Sequence, residues 1–217
     1  ATNVTIVIGN LADNSIARFL YYKLLCATDR FYPGPGGYEV RTLIDPFGTN
    51  FNVIHLGYSD EDGLNAAVEI FLEKQGKEIR HLNIVRATQL PLSDVEAIRN
   101  SKVSDVPGVF NSNALDSKGY LYYLTGDAEV GAEYVEGLRA ILSVSLKEGP
   151  SADIPQPHLF MAFRIAVFRL VENTGLLDED IRQKTAQLFH DWIESKDGLE
   201  WLRNEYYGYS VPNYPRQ

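Results

Sequence analysis

The chain is poor in cysteine and in candidate metal ligands. Cys26 is the single cysteine among 217 residues, so no disulfide can form within the chain. It lies in an apolar run, FLYYKLLCA, which predicts a small helical core residue rather than a reactive thiol. The four histidines show no ligand spacing, and a zinc site is therefore disfavoured. We expect no metal and no cofactor.

Positive charge is also scarce. Lys and Arg number 20 against 29 Asp and Glu, which gives a formal net charge of −9. Nucleic acids and anionic membranes attract concentrated positive charge, so neither is expected as a partner. No apolar run approaches the roughly 20 residues that span a bilayer. No export signal is visible, but an opening at Ala1 is compatible with a removed one, so the compartment stays open, with periplasm or secretion as candidates.

Several catalytic and nucleotide-binding motifs are missing from the sequence. The first strand ends at Ile8-Gly9-Asn10 without a GxGxxG pattern, which argues against dinucleotide binding. Neither a GxxxxGK[ST] phosphate loop nor a GxSxG serine elbow occurs. The sequence therefore gives no catalytic residue.

The first part of the chain, residues 1–86, has an α/β pattern. An apolar strand (TIVI) is followed by a helix that Asp13 or Asn14 can cap and that we predict to continue to Ala27. Strands at 38–44 and 52–57, a helix at about 61–75 and a last strand near 79–85 complete the order β-α-β-β-α-β. The expected fold class is α+β, with this small sandwich domain placed before a helical region.

The rest of the chain divides into a connection and a helical part. Residues 87–112 lack clear periodicity and are interpreted as a linker or extended connection. Residues 113–217 have helical periodicity with short turns, which predicts antiparallel hairpins. One turn is predicted at Thr125-Gly126-Asp127, where the glycine ends one helix and the aspartate caps the next.

Two acidic clusters stand at predicted helix starts, at residues 60–62 and 178–180. Carboxylates grouped in this way can bind a metal ion or act as an acid and base pair. They also satisfy the free amides and the positive end of a helix dipole. We interpret both clusters as helix caps.

The C-terminal tail is rich in aromatic residues interleaved with Arg and Asn. Aromatic faces stack on sugar rings, whereas Asn and Arg bind hydroxyls and carboxylates, so the mixture suits a glycan cleft. The alternative is that Trp192 and Trp201 belong to the core and that the tyrosines cover the end of a helical bundle. The candidate substrate-binding residues are Tyr209, Asn213 and Arg216.

Two segments of the sequence resemble parts of carbohydrate-active enzymes. VTIVIGN, YEVRT and NVIHLGYSDEDGLNAAVEIFLE resemble the small α/β domain that precedes the catalytic domain in α-glucuronidases and β-hexosaminidases. That domain carries no catalytic residue in those families. YYLTGDAEVGAEYVEGLRAIL and the helices after it resemble the start of an (α/α) toroid, as in heparinase- and alginate-lyase-like proteins. No His follows Asn213, so the residue set of such lyases is incomplete.

The resemblance implies the N-terminal portion of a polysaccharide-degrading enzyme, a lyase of uronic-acid glycans with little or no activity alone. Its partners would be a polysaccharide or oligosaccharide and the remainder of the parent chain. A non-catalytic glycan- or protein-binding module, or an accessory region of a glycoside hydrolase, is the alternative.

Overall fold

The computed structural model describes residues 3–74, 82–103, 112–148 and 159–194, and in these ranges it has a mixed α+β fold. Four strands and seven helices follow each other as β1 (Asn3–Ile8), α1 (Ser15–Tyr22), β2 (Tyr38–Leu43), β3 (Phe51–Tyr58), α2 (Glu61–Lys74), β4 (Asn83–Arg86), α3 (Val95–Asn100), α4 (Ser112–Thr125), α5 (Ala128–Glu148), α6 (Leu159–Val171) and α7 (Glu179–Glu194). The β-α-β-β-α-β order of the first part is as predicted.

The four strands form one mixed sheet in the order β1-β3-β2-β4. The β1–β3 pair is parallel, whereas β2 runs antiparallel to both β3 and β4. The register aligns Val7, His55, Arg41 and Asn83 in one row across the sheet. Because side chains at paired positions lie on the same face, these four residues share one face of the sheet.

Helices pack on both faces of the sheet, although Val4, Ile6 and Ile8 of the edge strand β1 remain 42–48% exposed. Helix α2 packs on one face, where Ala67 joins a buried cluster with Val40, Ile54 and Leu56. The opposite face carries Glu39, Arg41 and His55 and meets α1 and the side of α4. Every residue of β2 is buried, including the polar ones, because this strand lies between the two helical layers.

Helix α1 is shorter than the sequence predicts. It is capped by Asn14, whose side chain accepts from the Ile16 and Ala17 amides, but it ends at Tyr22 rather than Ala27. Leu24 has a φ of 56°, and the Leu25 amide donates to the Leu20 carbonyl, so the chain turns away from the helix axis. The prediction that Cys26 lies in a helix is therefore wrong, although its burial is confirmed, at 3% exposure. This burial raises the pKa of the Cys26 thiol.

Helix α2 begins at the acidic turn that the sequence singles out. The Asp60 carboxylate accepts from the Gly63 amide at 2.9 Å and also from the Gly36 amide. A Cβ atom at Gly63 would lie 2.2 Å from the Gly37 carbonyl oxygen, so a residue without a side chain is needed here. The turn therefore fixes α2 against the glycine-rich loop at residues 33–37.

The helical part is built around α4, which packs against α3, α5 and α6. Gly126, at a φ of 70°, ends α4, and Asp127 caps α5, as predicted. A buried bidentate ion pair between Asp116 of α4 and Arg164 of α6 joins two of the helices, with N–O distances of 3.0 and 3.1 Å. None of the helices within the described ranges is long and apolar enough to cross a membrane.

The segment predicted as a linker contains the short helix α3. Asp94 caps it by accepting from the Ala97 amide, and Arg99 near its end forms an ion pair with Asp127. Val103 is 8% exposed and belongs to the helical core. Where it is described, this connection is thus attached to the helical part.

Candidate functional site

The tail residues predicted to bind substrate, Tyr209, Asn213 and Arg216, lie outside the described residues, as does Trp201. Trp192 is described, and it is 4% exposed within the helical core cluster. The core interpretation is therefore confirmed for Trp192.

The two acidic turns act as helix caps. Hydrogen bonds from the Gly63 and Gly36 amides lower the pKa of the Asp60 carboxyl. Asp178 accepts from the Ile181 amide at 2.8 Å at the start of α7. Among the described residues, no group of three or more His, Cys, Asp or Glu side chains is placed to hold a metal ion. The capping interpretation is confirmed for these two aspartates.

A buried cluster of charged side chains lies on the helix-facing side of the sheet. Glu39 and His55 are fully buried and Arg41 is 2% exposed. The Glu39 carboxylate accepts from Arg41 Nε at 2.8 Å and lies 3.0 Å from His55 Nδ1. His55 Nε2 lies 2.9 Å from the Gly9 carbonyl oxygen. Both ring nitrogens therefore lie within hydrogen-bonding distance of an oxygen atom.

Arg41 connects this cluster to the helical part. Its guanidinium group donates to the side-chain oxygen of Asn83 and to the backbone carbonyl of Tyr123, and it stacks 3.6 Å from the centre of the Tyr123 ring. Tyr32 adds a second connection, because its hydroxyl donates to the Leu124 carbonyl at 3.0 Å. The charged side chains of the cluster are buried, and its geometry is that of a structural junction between sheet and helices.

Two clefts open beside this junction. The first, which we call the polar cleft, has about 480 Å³ of empty space with its open mouth included, and among its lining residues are Arg41, Asn83, Arg169, Glu172 and Asn173. Burial raises the pKa of the Glu172 carboxyl, against the opposing effect of Arg169. Arg169 and Glu172 form an ion pair at 3.5 Å, so the charged groups at this mouth already have partners.

The second cleft, which we call the aromatic cleft, has about 380 Å³ of empty space when its open mouth is included. Three segments that are distant in sequence line it. The end of α1 and the loop after it contribute Tyr21, Ala27, Asp29, Phe31 and Tyr32. The stretch after β4 contributes Gln89, Leu90 and Pro91, and α4 contributes Tyr120. Aromatic rings thus lie beside one carboxylate and one side-chain amide.

The loop that carries Phe31 is held by Asp29. The Asp29 Oδ1 atom accepts from the Phe31 amide at 2.7 Å and from the Tyr32 amide at 2.9 Å. Ser59 donates to the Asp29 carbonyl at 3.0 Å, which ties the loop to the end of β3. The Phe31 side chain nevertheless remains 72% exposed. The Phe31 ring is therefore exposed to solvent although hydrogen bonds hold the backbone of its loop in place.

The opposite side of the aromatic cleft is formed by α4 and by residues 89–91. Tyr120 is half-buried and makes an edge contact with Phe163 of α6, with ring centres 6.3 Å apart. The backbone amide of Gln89 donates to the Pro33 carbonyl at 3.0 Å and fixes residues 89–91 against the glycine-rich loop. Burial, followed by Asp29, raises the pKa of Tyr21, and burial, Tyr21 and Asp29 raise that of Tyr120. Both phenols remain hydrogen-bond donors at neutral pH.

The comparisons give no relative from which a role could be carried over. No protein-family model, no curated protein and no solved structure matches the chain. The geometry of the clefts is therefore the basis for any functional argument.

The sequence carries only part of the signal for the aromatic cleft. The segment FYPGPGG joins an aromatic pair to a turn, and turns often present exposed side chains. Its partners, Gln89 and Tyr120, are 57 or more positions away and carry no local pattern. The combination of aromatic rings and polar groups that we predict for the C-terminal tail is found in the aromatic cleft, which is formed by different residues.

Proposed function

We propose that this chain is a glycan-binding, N-terminal portion of a polysaccharide-degrading protein, and that the aromatic cleft holds the glycan. The observation that carries the proposal is the exposed Phe31 ring beside Tyr21, Tyr120, Asp29 and Gln89. Sugar rings offer apolar C–H faces to aromatic side chains and hydroxyls to carboxylate and amide groups. The cleft supplies both kinds of contact.

The form of the fold is compatible with this proposal. The small α/β unit with its single mixed sheet would be the accessory domain that the sequence resembles. The hairpins α4–α5 and α6–α7 would begin an (α/α) toroid that the remainder of a parent chain completes. A polysaccharide or oligosaccharide and that remainder are the proposed partners.

Binding without cleavage is the form of the proposal that the described residues favour. A lyase acting on uronic-acid glycans would depend on Tyr209, Asn213 and Arg216, which lie outside the described ranges. The aromatic cleft consists of described residues, and Asp29 is engaged by backbone amides in the way of a turn-forming residue. We therefore assign the aromatic cleft to binding.

The test is calorimetric titration of the chain with a panel of oligosaccharides, repeated on Phe31→Ala. Loss of one stacked ring removes about 0.5–1.5 kcal/mol, so affinity is expected to fall roughly two- to twelvefold. Phe51→Ala is the matched control, because Phe51 is 41% exposed at the start of β3 and lies outside the cleft. Absence of binding by the parent chain, or equal loss in both variants, would contradict the proposal.

A further inference from the structure

The aromatic cleft has an unbalanced charge. Asp29 is a carboxylate, and none of the nine described residues that line the cleft is Lys, Arg or His. Gln89 and the tyrosine hydroxyls are neutral polar groups. Arg30 follows Asp29 in sequence but is exposed and does not line the cleft. A ligand in this cleft therefore meets one negative charge without a compensating cation among the described lining residues.

The Asp29 charge acts on the interior of the cleft. It contributes to the raised pKa of both Tyr21 and Tyr120, which are contributed by different elements, α1 and α4. Two backbone amides bind Oδ1, so the carboxylate is held in place rather than free to rotate away from a ligand. A second negative group brought into the cleft would be repelled by the Asp29 charge, and more strongly the closer it lies to this carboxylate.

We infer that the aromatic cleft selects neutral sugar units and rejects units that carry a carboxylate or sulfate, with Asp29 as the residue that determines this specificity. The inference rests on the proposed function and names its ligand class. The carboxylate accepts hydrogen bonds from the hydroxyls of a neutral sugar, whereas an acidic sugar would place like charges side by side. Specificity then arises from repulsion of the wrong ligand as well as from attraction of the right one.

Asp29→Asn is the most direct test, because the asparagine keeps an Oδ1 acceptor for the Phe31 and Tyr32 amides and loses the charge. The probes are tetramers of β-1,4-linked glucose, mannose and xylose, compared with tetramers of mannuronate and galacturonate. The measured quantity is the ratio of neutral to acidic affinity. Because the repulsion between two unit charges about 4 Å apart in water corresponds to roughly a fivefold change in affinity, we expect a ratio of about fivefold for the parent chain and a ratio near one in Asp29→Asn.

Asp45→Asn is the matched control. Asp45 also accepts two backbone amides with Oδ1, from Thr49 at 2.7 Å and Asn50 at 2.9 Å, but it lies outside the aromatic cleft. The affinity ratio should be unchanged in this variant.

A second variant adds negative charge to the aromatic cleft. The Gln89 residue is exposed, so Gln89→Glu adds a carboxylate to the lining with little effect on folding. Acidic tetramers should then bind more weakly still. A parent chain that binds acidic and neutral tetramers equally, or a ratio that neither variant moves, overturns the inference while the proposed function stands. A parent chain that binds no tetramer overturns both.

Discussion

Arg41 shows how a single side chain joins two parts of this protein. Buried cations are stable only when each is paired and hydrogen-bonded, and Arg41 has acceptors from three directions, namely Glu39, Asn83 and the Tyr123 carbonyl. In the sequence, Glu39 and Arg41 alternate with apolar residues in YEVRT, a pattern that is typical of a strand face exposed to water. The face is covered instead by α4, about 80 residues later in the chain, and no local pattern carries that information.

Glu39 should make the stability of the protein sensitive to acid. Burial alone would raise the pKa of this carboxyl, but Arg41 and His55 overcome that effect and lower it to about 2. Since the folded pKa lies below the ordinary value of 4.5, the stabilisation is complete above about pH 5 and is lost as the pH falls towards 2. We expect Glu39→Gln to be about 3–5 kcal/mol less stable at pH 7 and to lose less stability on acidification. Urea denaturation between pH 7 and 3 measures both effects, and parallel acid slopes for the two proteins would refute the assignment.

Elements whose ends depend on neighbouring residues could be predicted well. Asn14, Asp60, Asp127 and Asp178 all act near helix starts as the sequence indicates, because capping needs an oxygen within three positions of a free amide. The end of α1 could not be predicted. Apolar spacing continues past Tyr22, but packing of Leu25 and Cys26 beside Leu43 requires the chain to leave the helix.

Asp127 combines capping with an ion pair, and two substitutions separate the contributions. Its Oδ1 accepts from the Glu129 and Val130 amides, and its other oxygen contacts Arg99 of α3. Asp127→Ala should cost about 1 kcal/mol for the cap plus the pair, whereas Asp127→Asn keeps a cap and should cost less. Thermal unfolding monitored by circular dichroism gives the difference. Equal losses in the two variants would show that the cap contributes nothing measurable.

For the molecule as a whole, the junction between sheet and helices is the feature that could not be predicted from the sequence. The sequence predicts two domains joined by a linker. In the structure, the contacts of Arg41 with Tyr123 and of Tyr32 with Leu124 join residues more than 80 positions apart. The aromatic cleft has the same origin, because its walls come from α1, the segment after β4, and α4. Local periodicity predicts elements, but it does not say which of them meet.

The junction should make the sheet and α4 unfold together. Opening β2 away from α4 would remove the Tyr123 carbonyl and ring from the buried Arg41 guanidinium, so an independent opening of the sheet is costly. Native-state hydrogen exchange should give amides of β2 and of α4 opening free energies that agree within about 1 kcal/mol. An opening free energy for the β2 amides that is much lower than that of the α4 amides would contradict this coupling.

The central claim is that the aromatic cleft binds a glycan. Its most direct test is an NMR titration of the isotope-labelled chain with the neutral oligosaccharide that binds best, following backbone amide shifts. We predict saturable shifts at residues 29–32, around Gln89 and Leu90, and at Tyr120, because these surround the cleft. The absence of shifts at millimolar ligand, or shifts that cluster instead at the polar cleft around Arg169 and Asn173, would contradict the account.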